Sequence, residues 1–355
     1  MKHIISIVLV ILASSGFLWA QNITNVRTHQ EGENIIITYD LAKQSDVRVF
    51  VTTGQSTQYT ELKAVTGAVG KDISAGTDLQ IIWQPLKEQT EFVAQNVRFK
   101  IEARLIYYFS VSATRKVSFS SGNLQYRAST NTWRFASYQY DYIGAANKSI
   151  SKTYNGWIDL FGWSGSTGSA IWGVSTSQSN SDYSGDFVDW GKNIIGMDIT
   201  NSWRTLTYDE WYYLRNTRTN ANNLIGIARI QLGENEYVNG LILLPDNWNC
   251  PTYVTFKSGS SGENSVLAYA DYQTFKLSDW QKLEAAGAVF LPASGLRNGA
   301  RDGQRVYHIQ FSGHYWSATL LDSGYAGEFN FYSIRAYCGY NYRCSGYAVR
   351  LVRDL

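Results

Sequence analysis

Tyr325, Tyr332, Tyr337, Tyr340 and Tyr342, interleaved with Ser323, Ser333, Arg335, Asn341 and Arg343, have the composition of a contact surface. Tyrosine offers a large rigid area at low entropy cost, while serine, asparagine and arginine supply hydrogen bonds that adapt to a partner. The other reading is a tyrosine-rich strand and loop that stabilise only themselves. Exposure separates the two, because contiguous exposed aromatic area marks a site of contact. His314, Tyr315, Trp316, Leu320 and Cys338 flank or fall within the stretch and complete the candidate ligand-binding set.

Catalytic chemistry has little support. The four histidines, His3, His29, His308 and His314, include no pair at zinc-ligand spacing. No nucleophile motif and no phosphate-cradling glycine loop is visible. The expectation is therefore a protein that is not an enzyme, with no catalytic residues, no cofactor and no metal. Trp163, Trp172, Trp190, Trp211 and Trp316 could stack on sugar rings, but buried tryptophan dominates packing energetics and core anchoring is the expectation for most of them.

The net charge is +2 and 17% of residues are charged, against about 25% in ordinary soluble domains. Neither nucleic acid nor an anionic membrane is implied as a partner. Three cysteines permit at most one internal bridge, so the fold cannot be framed by disulfides.

The elements that must carry the contact residues follow from patterning. Basic Met1-Lys2-His3 precedes an apolar run ending at Ala20, which reads as an export signal over 1–20; the run is too short for a spanning helix. No membrane span is expected once it is removed, and the chain is expected at the cell surface, in the periplasm or secreted. From 21 to 105, strand-like runs around Ile23, Ile35, Val47, Ile81 and Val97 recur at the spacing of an all-β immunoglobulin-like sandwich, with a Gly/Ala/Thr-rich loop over 63–77.

Residues 106–355 form the second domain, opening on a strand over 106–111. Two helices are predicted. One opens at Thr207-Tyr208-Asp209-Glu210, a capping box, and continues through Trp211 and Leu214. The other opens at Ser278 and stops at Gly287. Short strands precede Pro245 and Pro292 and close the chain over 347–352, with long irregular loops over 149–193. Helices and scattered strands together give an α+β class.

Several segments carry a family resemblance. Trp203-Arg204-Thr205-Leu206-Thr207-Tyr208-Asp209-Glu210-Trp211 resembles the helix-opening motif of formylglycine-generating enzymes and related C-type-lectin-like domains. Phe119-Ser120-Ser121-Gly122-Asn123-Leu124-Gln125-Tyr126, Trp133-Arg134-Phe135-Ala136 and Trp157-Ile158-Asp159-Leu160-Phe161-Gly162-Trp163 agree with it. So do Leu291-Pro292-Ala293-Ser294-Gly295, Arg297-Asn298-Gly299, Gly313-His314-Tyr315-Trp316-Ser317-Ala318-Thr319 and the closing Gly346-Tyr347-Ala348-Val349-Arg350-Leu351-Val352-Arg353. In order, these cover nearly all of 106–355 and resemble exported C-type-lectin-like paralogues of gut Bacteroidales.

Some of those proteins resemble the variable proteins of diversity-generating retroelements, whose Asn codons near the C-terminus are randomised at template adenines. Residues 332–345, Ile334 included, hold only types reachable by that route, whereas Glu328 does not. The resemblance implies a lectin-like scaffold displaying a variable C-terminal surface to a protein or carbohydrate ligand outside the cytoplasm. It leaves open an oxidase of the formylglycine-generating type and a structural envelope or fimbria-associated component.

Two family sites are weighed against this sequence. Asp246-Asn247-Trp248-Asn249 is similar to the calcium motif of sugar-binding C-type lectins, but its order differs and no Glu-Pro-Asn triplet accompanies it. Formylglycine-generating enzymes use a cysteine pair with copper. Cys338 and Cys344 are the only nearby pair here, and unpaired thiols or one local disulfide are expected rather than redox chemistry.

Overall fold

The computed structural model describes residues 22–94, 96–258, 273–299, 302–333 and 335–355; the expected export signal and Ile334 lie outside the described residues. The chain divides into two compact units, Met1–Ile106 and Tyr107–Leu355. Both are rich in β-structure, and helices are few and short among the described residues.

The first unit comprises β1 (Ile23–Glu31), β2 (Asn34–Leu41), β3 (Ser45–Thr52), β4 (Thr60–Glu61), β5 (Val65–Gly67), β6 (Gly70–Ile73), β7 (Gly76–Trp83), the helical turn α1 (Pro85–Glu88) and β8 (Arg98–Leu105). One sheet runs β1-β2-β7-β5; in the other, β3 pairs with β8 on one side and with β4 and β6 on the other. Alternate residues of each strand share a face. Ile35, Ile37 and Tyr39 of β2, Val47 and Val49 of β3, Ile81 and Trp83 of β7, and Phe99 of β8 therefore meet in one core. Trp83 sits at its centre, met edge-on by Phe92 and Phe99 at 5.0 and 5.7 Å.

The loop expected over 63–77 is corrected, since β5, β6 and the start of β7 occupy it. Gly67 makes this possible: its φ is +90°, and a Cβ there would lie 2.3 Å from the Gln80 carbonyl oxygen.

The second unit contains β9 (Phe109–Ser110), β10 (Lys116–Phe119), β11 (Leu124–Arg127), β12 (Thr132–Phe135), the helix α2 (Tyr208–Tyr212), β13 (Ile225–Gln231), β14 (Tyr237–Leu243) and β15 (Thr274–Lys276). It continues with the helix α3 (Leu277–Ala285), β16 (Val289–Pro292), β17 (Leu296–Asn298), β18 (Asp302–Tyr307), β19 (Ser312–Leu320), β20 (Tyr325–Tyr332), β21 (Arg335–Tyr342) and β22 (Val352–Asp354). The sheets that organise it run β15-β13-β14-β16 and β19-β20-β21.

The predicted capping box is present. Thr207 Oγ1 accepts from the Glu210 N–H at 3.2 Å, and Glu210 Oε2 accepts from the Thr207 N–H at 2.9 Å. The α-helix is shorter than expected, because after Tyr212 the chain widens into a π turn over Tyr213–Thr217. That turn still carries Leu214 into the core beside Trp211, whose ring stacks on Phe329 at 4.7 Å. In α3, Trp280 and Leu283 are buried against Ile230, Ile242 and Phe290 of the four-stranded sheet. The helix ends before Gly287, whose φ of +89° is the left-handed exit that glycine takes without strain.

Two strand expectations shrink. Of 106–111 only Phe109–Ser110 is a strand, and of 347–352 only Val352 belongs to one. The latter run is instead threaded between two cores: Tyr347, Val349 and Leu351 pack on one side, and Ala348 and Val352 on the other. A segment buried on both faces reads as a strand from its sequence whether or not a ladder forms. The long region over 149–193 is irregular and is pinned by Trp163, Tyr183 and Trp190, all fully buried.

Candidate functional site

The sheet β19-β20-β21 is built from residues that alternate strictly between two environments. On β20, Phe329 and Phe331 enter the core, while Glu328 and Asn330 face the opposite side. On β21, Ala336 and Cys338 join Phe329 and Phe331, so Arg335, Tyr337, Gly339 and Asn341 share the face with Glu328 and Asn330. Cross-strand register places Gly339 opposite Glu328 and Tyr337 opposite Asn330.

Glu328 forms the floor of this face. Its side chain is 4% exposed, and a carboxylate so placed must be paired. Oε2 lies 2.9 Å from His314 Nδ1, and Oε1 accepts from Asn341 Nδ2 at 3.2 Å. His314 Nε2 lies 3.1 Å from Ser312 Oγ, and its ring stacks on Tyr347 at 4.9 Å. Serine, histidine and acid in series have the connectivity of a nucleophilic triad. Ser312 is buried, however, so the series fixes the carboxylate rather than presenting a nucleophile.

Beside the carboxylate, Asn330 is buried and its Oδ1 has no hydrogen-bond partner among the described residues. Gly339 leaves a recess over both. A Cβ at that position would stand 3.6 Å from the Tyr337 ring and 3.8 Å from both Asn330 Nδ2 and Glu328 Oε1, which are ordinary contact distances. The recess thus offers an acceptor and an amide at its base and an aromatic wall. Around it, the Arg335 guanidinium lies over the rings of Tyr337 and Tyr332, 4.6 and 5.2 Å from their centroids. Burial pushes the Tyr337 phenol up, so it stays a neutral hydrogen-bonding group.

A second aromatic group occupies the other side of β21. Tyr340 stacks on Tyr208 of α2 at 4.6 Å, and Tyr342 packs against Tyr325 at 4.6 Å. Tyr337, Tyr340 and Tyr342 are each a little over one-third exposed, and Leu320 and Ser323 are exposed at the neighbouring hairpin. No protein-family model, curated protein or solved structure matches the chain. Its functional reading therefore rests on these side chains.

Not every residue of the expected contact set reaches this surface. Tyr315 and Trp316 are core anchors and are removed from it: the Tyr315 hydroxyl donates to the Pro292 carbonyl, and Trp316 Nε1 to that of Phe161. Arg343 is also buried, over the Trp163 ring and bonded to the Ser323 carbonyl. Tyr332, Ser333, Arg335 and Asn341 are half-buried at the face or its edge. Cys338 packs against the core, where burial pushes its thiol up to about 12.

Cys344 lies in a separate cluster with Ala170 and Tyr183, and both thiols are free. A protonated, buried thiol and a second one packed elsewhere do not fit the soft thiolate donor pair that copper requires. Asp246 is likewise engaged, by Arg218 at 2.8 Å and by the Ser110 N–H. The floor residues Glu328 and Asn330 escaped the sequence reading because only strand parity reveals them.

Proposed function

We propose that this chain is an exported ligand-binding protein, with an immunoglobulin-like sandwich as spacer or docking unit and a C-type-lectin-like second domain that meets its ligand on the β19-β20-β21 face. The observation that carries the reading is the sidedness of β21. Arg335, Tyr337, Gly339 and Asn341 stand together over a polar floor of paired Glu328 and of Asn330 with an open acceptor, which is how a binding surface combines rigid aromatic area with adaptable hydrogen bonds. The ligand is a protein or a glycan outside the cytoplasm, and binding is by complementarity, without chemistry on the ligand.

We further infer that β21 is the varied element, as in the variable proteins of diversity-generating retroelements, with Glu328 as an unvaried floor. Sequencing the 3′ end of this gene across one bacterial population tests this. Substitutions confined to template adenines within the codons of 332–345 are expected, and an invariant segment with no template repeat overturns it. The binding reading is tested separately on extracellular-protein and glycan arrays. Tyr337→Ala combined with Arg335→Ala is expected to abolish the hits of the wild-type chain with its melting temperature unchanged, and retention of every hit refutes the face.

A further inference from the structure

β21 is the outer strand of its sheet, and the hydrogen bonds at its two ends fix which of its main-chain groups face outward. The Tyr325 carbonyl accepts from Leu321 and Asp322 N–H, so it turns toward the β19 side, and the pair Tyr325 and Tyr342 exchanges no ladder bonds. Consistently, the Tyr342 N–H donates to Asn341 Oδ1 at 3.0 Å and the Ala336 carbonyl accepts from Arg215 Nε at 3.2 Å. Alternation then turns the main-chain groups of Ala336, Cys338, Tyr340 and Tyr342 away from β20.

The ends of this edge are closed by the protein itself. Arg215 caps Ala336, while Asn341 and the Ser345 N–H cap Tyr342. Between them, the N–H and C=O groups of Cys338 and Tyr340 have no partner among the described residues.

Two other edges are defended. The far edge of the same sheet is occupied: Trp316 N–H donates to the Ala348 carbonyl, Ala348 N–H to that of His314, and Ala318 N–H to that of Leu206. The long edge strand β1 carries Arg27, His29 and Glu31 and a break in register between Thr24 and Arg27. Charges and bulges of this kind are how proteins discourage strand addition. β21 has no bulge, since its register with β20 is continuous over all eight residues, and holds no Lys, Glu, Asp or Pro; its one charged residue, Arg335, stands at its first position, outside the open pair Cys338 and Tyr340.

We propose that β21 receives an extended segment of a protein partner as a fourth strand of the sheet, clamped by the main-chain groups of Cys338 and Tyr340. The inference rests on the binding role proposed for this face and selects a peptide over a glycan, because only an extended backbone presents donors and acceptors at the two-residue repeat of a strand edge. The partner residue directly across from Gly339 carries a hydrogen-bond donor, which the recess receives onto Glu328 Oε1. Its neighbours in the strand pack beside Tyr340 and Tyr208.

A random twelve-residue peptide display library panned on the full chain tests the proposal. Peptides selected on the wild type are expected to bind Tyr340→Pro at least tenfold more weakly than Tyr340→Ala, because proline at an outward position removes a donor from the edge while leaving the bonds to β20 in place. N-methylation along a selected peptide gives a readout on the unaltered protein. Methyls on alternate amides are expected to abolish binding and those between them to be tolerated.

Enrichment no greater on the wild type than on Tyr340→Pro, or methylation effects without alternation, overturns the proposal. A wild-type dimer in sedimentation that Tyr340→Pro dissociates also overturns it, by assigning the edge to a second copy of the chain. If array hits still depend on Tyr337 and Arg335 while no peptide is selected, the edge inference fails alone and the binding face stands.

Discussion

Asp159 is fully buried, accepting from Asn147 Nδ2 at 2.8 Å and from the Ile143 N–H at 2.9 Å, and burial outweighs these bonds to push its carboxyl up to about 6. An unfolded aspartate titrates near ~3.9. Stability from this group is therefore fully present below about pH 4 and is lost as pH rises through about 6. Denaturant unfolding of wild type and Asp159→Asn between pH 4 and 7.5 is expected to show the wild type losing about 2 kcal/mol relative to the variant as pH rises. A constant difference across that range would refute the assignment.

Two glycines make opposite predictions. Gly339→Val fills a recess whose nearest atoms stand at contact distance, so thermal melting is expected within a few degrees of wild type while binding at the face is blocked. Gly346→Ala brings a Cβ to 2.5 Å from the Nε of the buried Arg297, and a loss of about 2 kcal/mol or more is expected in the same melting assay. At this scale the sequence was informative about type but not about side. The tyrosines of 325–342 announced themselves, and core anchoring was expected of most tryptophans, but alternation alone did not show that Tyr315 and Trp316, on opposite sides of β19, each enter a core. Glu328 entered only as a residue type outside the reachable set, upstream of 332–345, and its place in the floor was not legible.

Among elements, α2 is the most legible and the most testable. Thr207→Ala removes one half of the capping box and is expected to cost about 1 kcal/mol in chemical denaturation. Glu210→Ala costs more, since Glu210 also pairs with Arg204 at 2.7 Å and with Arg115 at 3.1 Å; equal losses from the two substitutions would contradict this. The Thr-x-x-Glu spacing is a purely local signal, which is why it was readable. β5 and β6 were not, because a Gly- and Thr-rich stretch becomes strand only through the neighbours that pair with it. The closing run over 347–352 failed in the other direction: its alternation is real, but it serves two cores instead of a ladder.

Each unit of the whole molecule has its own core, centred on Trp83 in the first and on the tryptophans and phenylalanines around β19-β20-β21 in the second. Fragments 22–106 and 107–355 are each expected to fold when expressed alone, with dispersed amide NMR spectra; an unfolded spectrum from either shows that its core is incomplete without the other unit. The two-unit division was visible in the sequence as a change from evenly spaced strands to long aromatic loops. The placement of the open edge on β21 was not, since it depends on which strand ends a sheet. With a partner strand added as proposed, that edge would separate grip from discrimination. Its amides and carbonyls are the same whatever side chains replace Arg335, Tyr337, Gly339 or Asn341, so under that proposal a lineage that rewrote those four positions would change what it recognises without first losing the ability to hold anything.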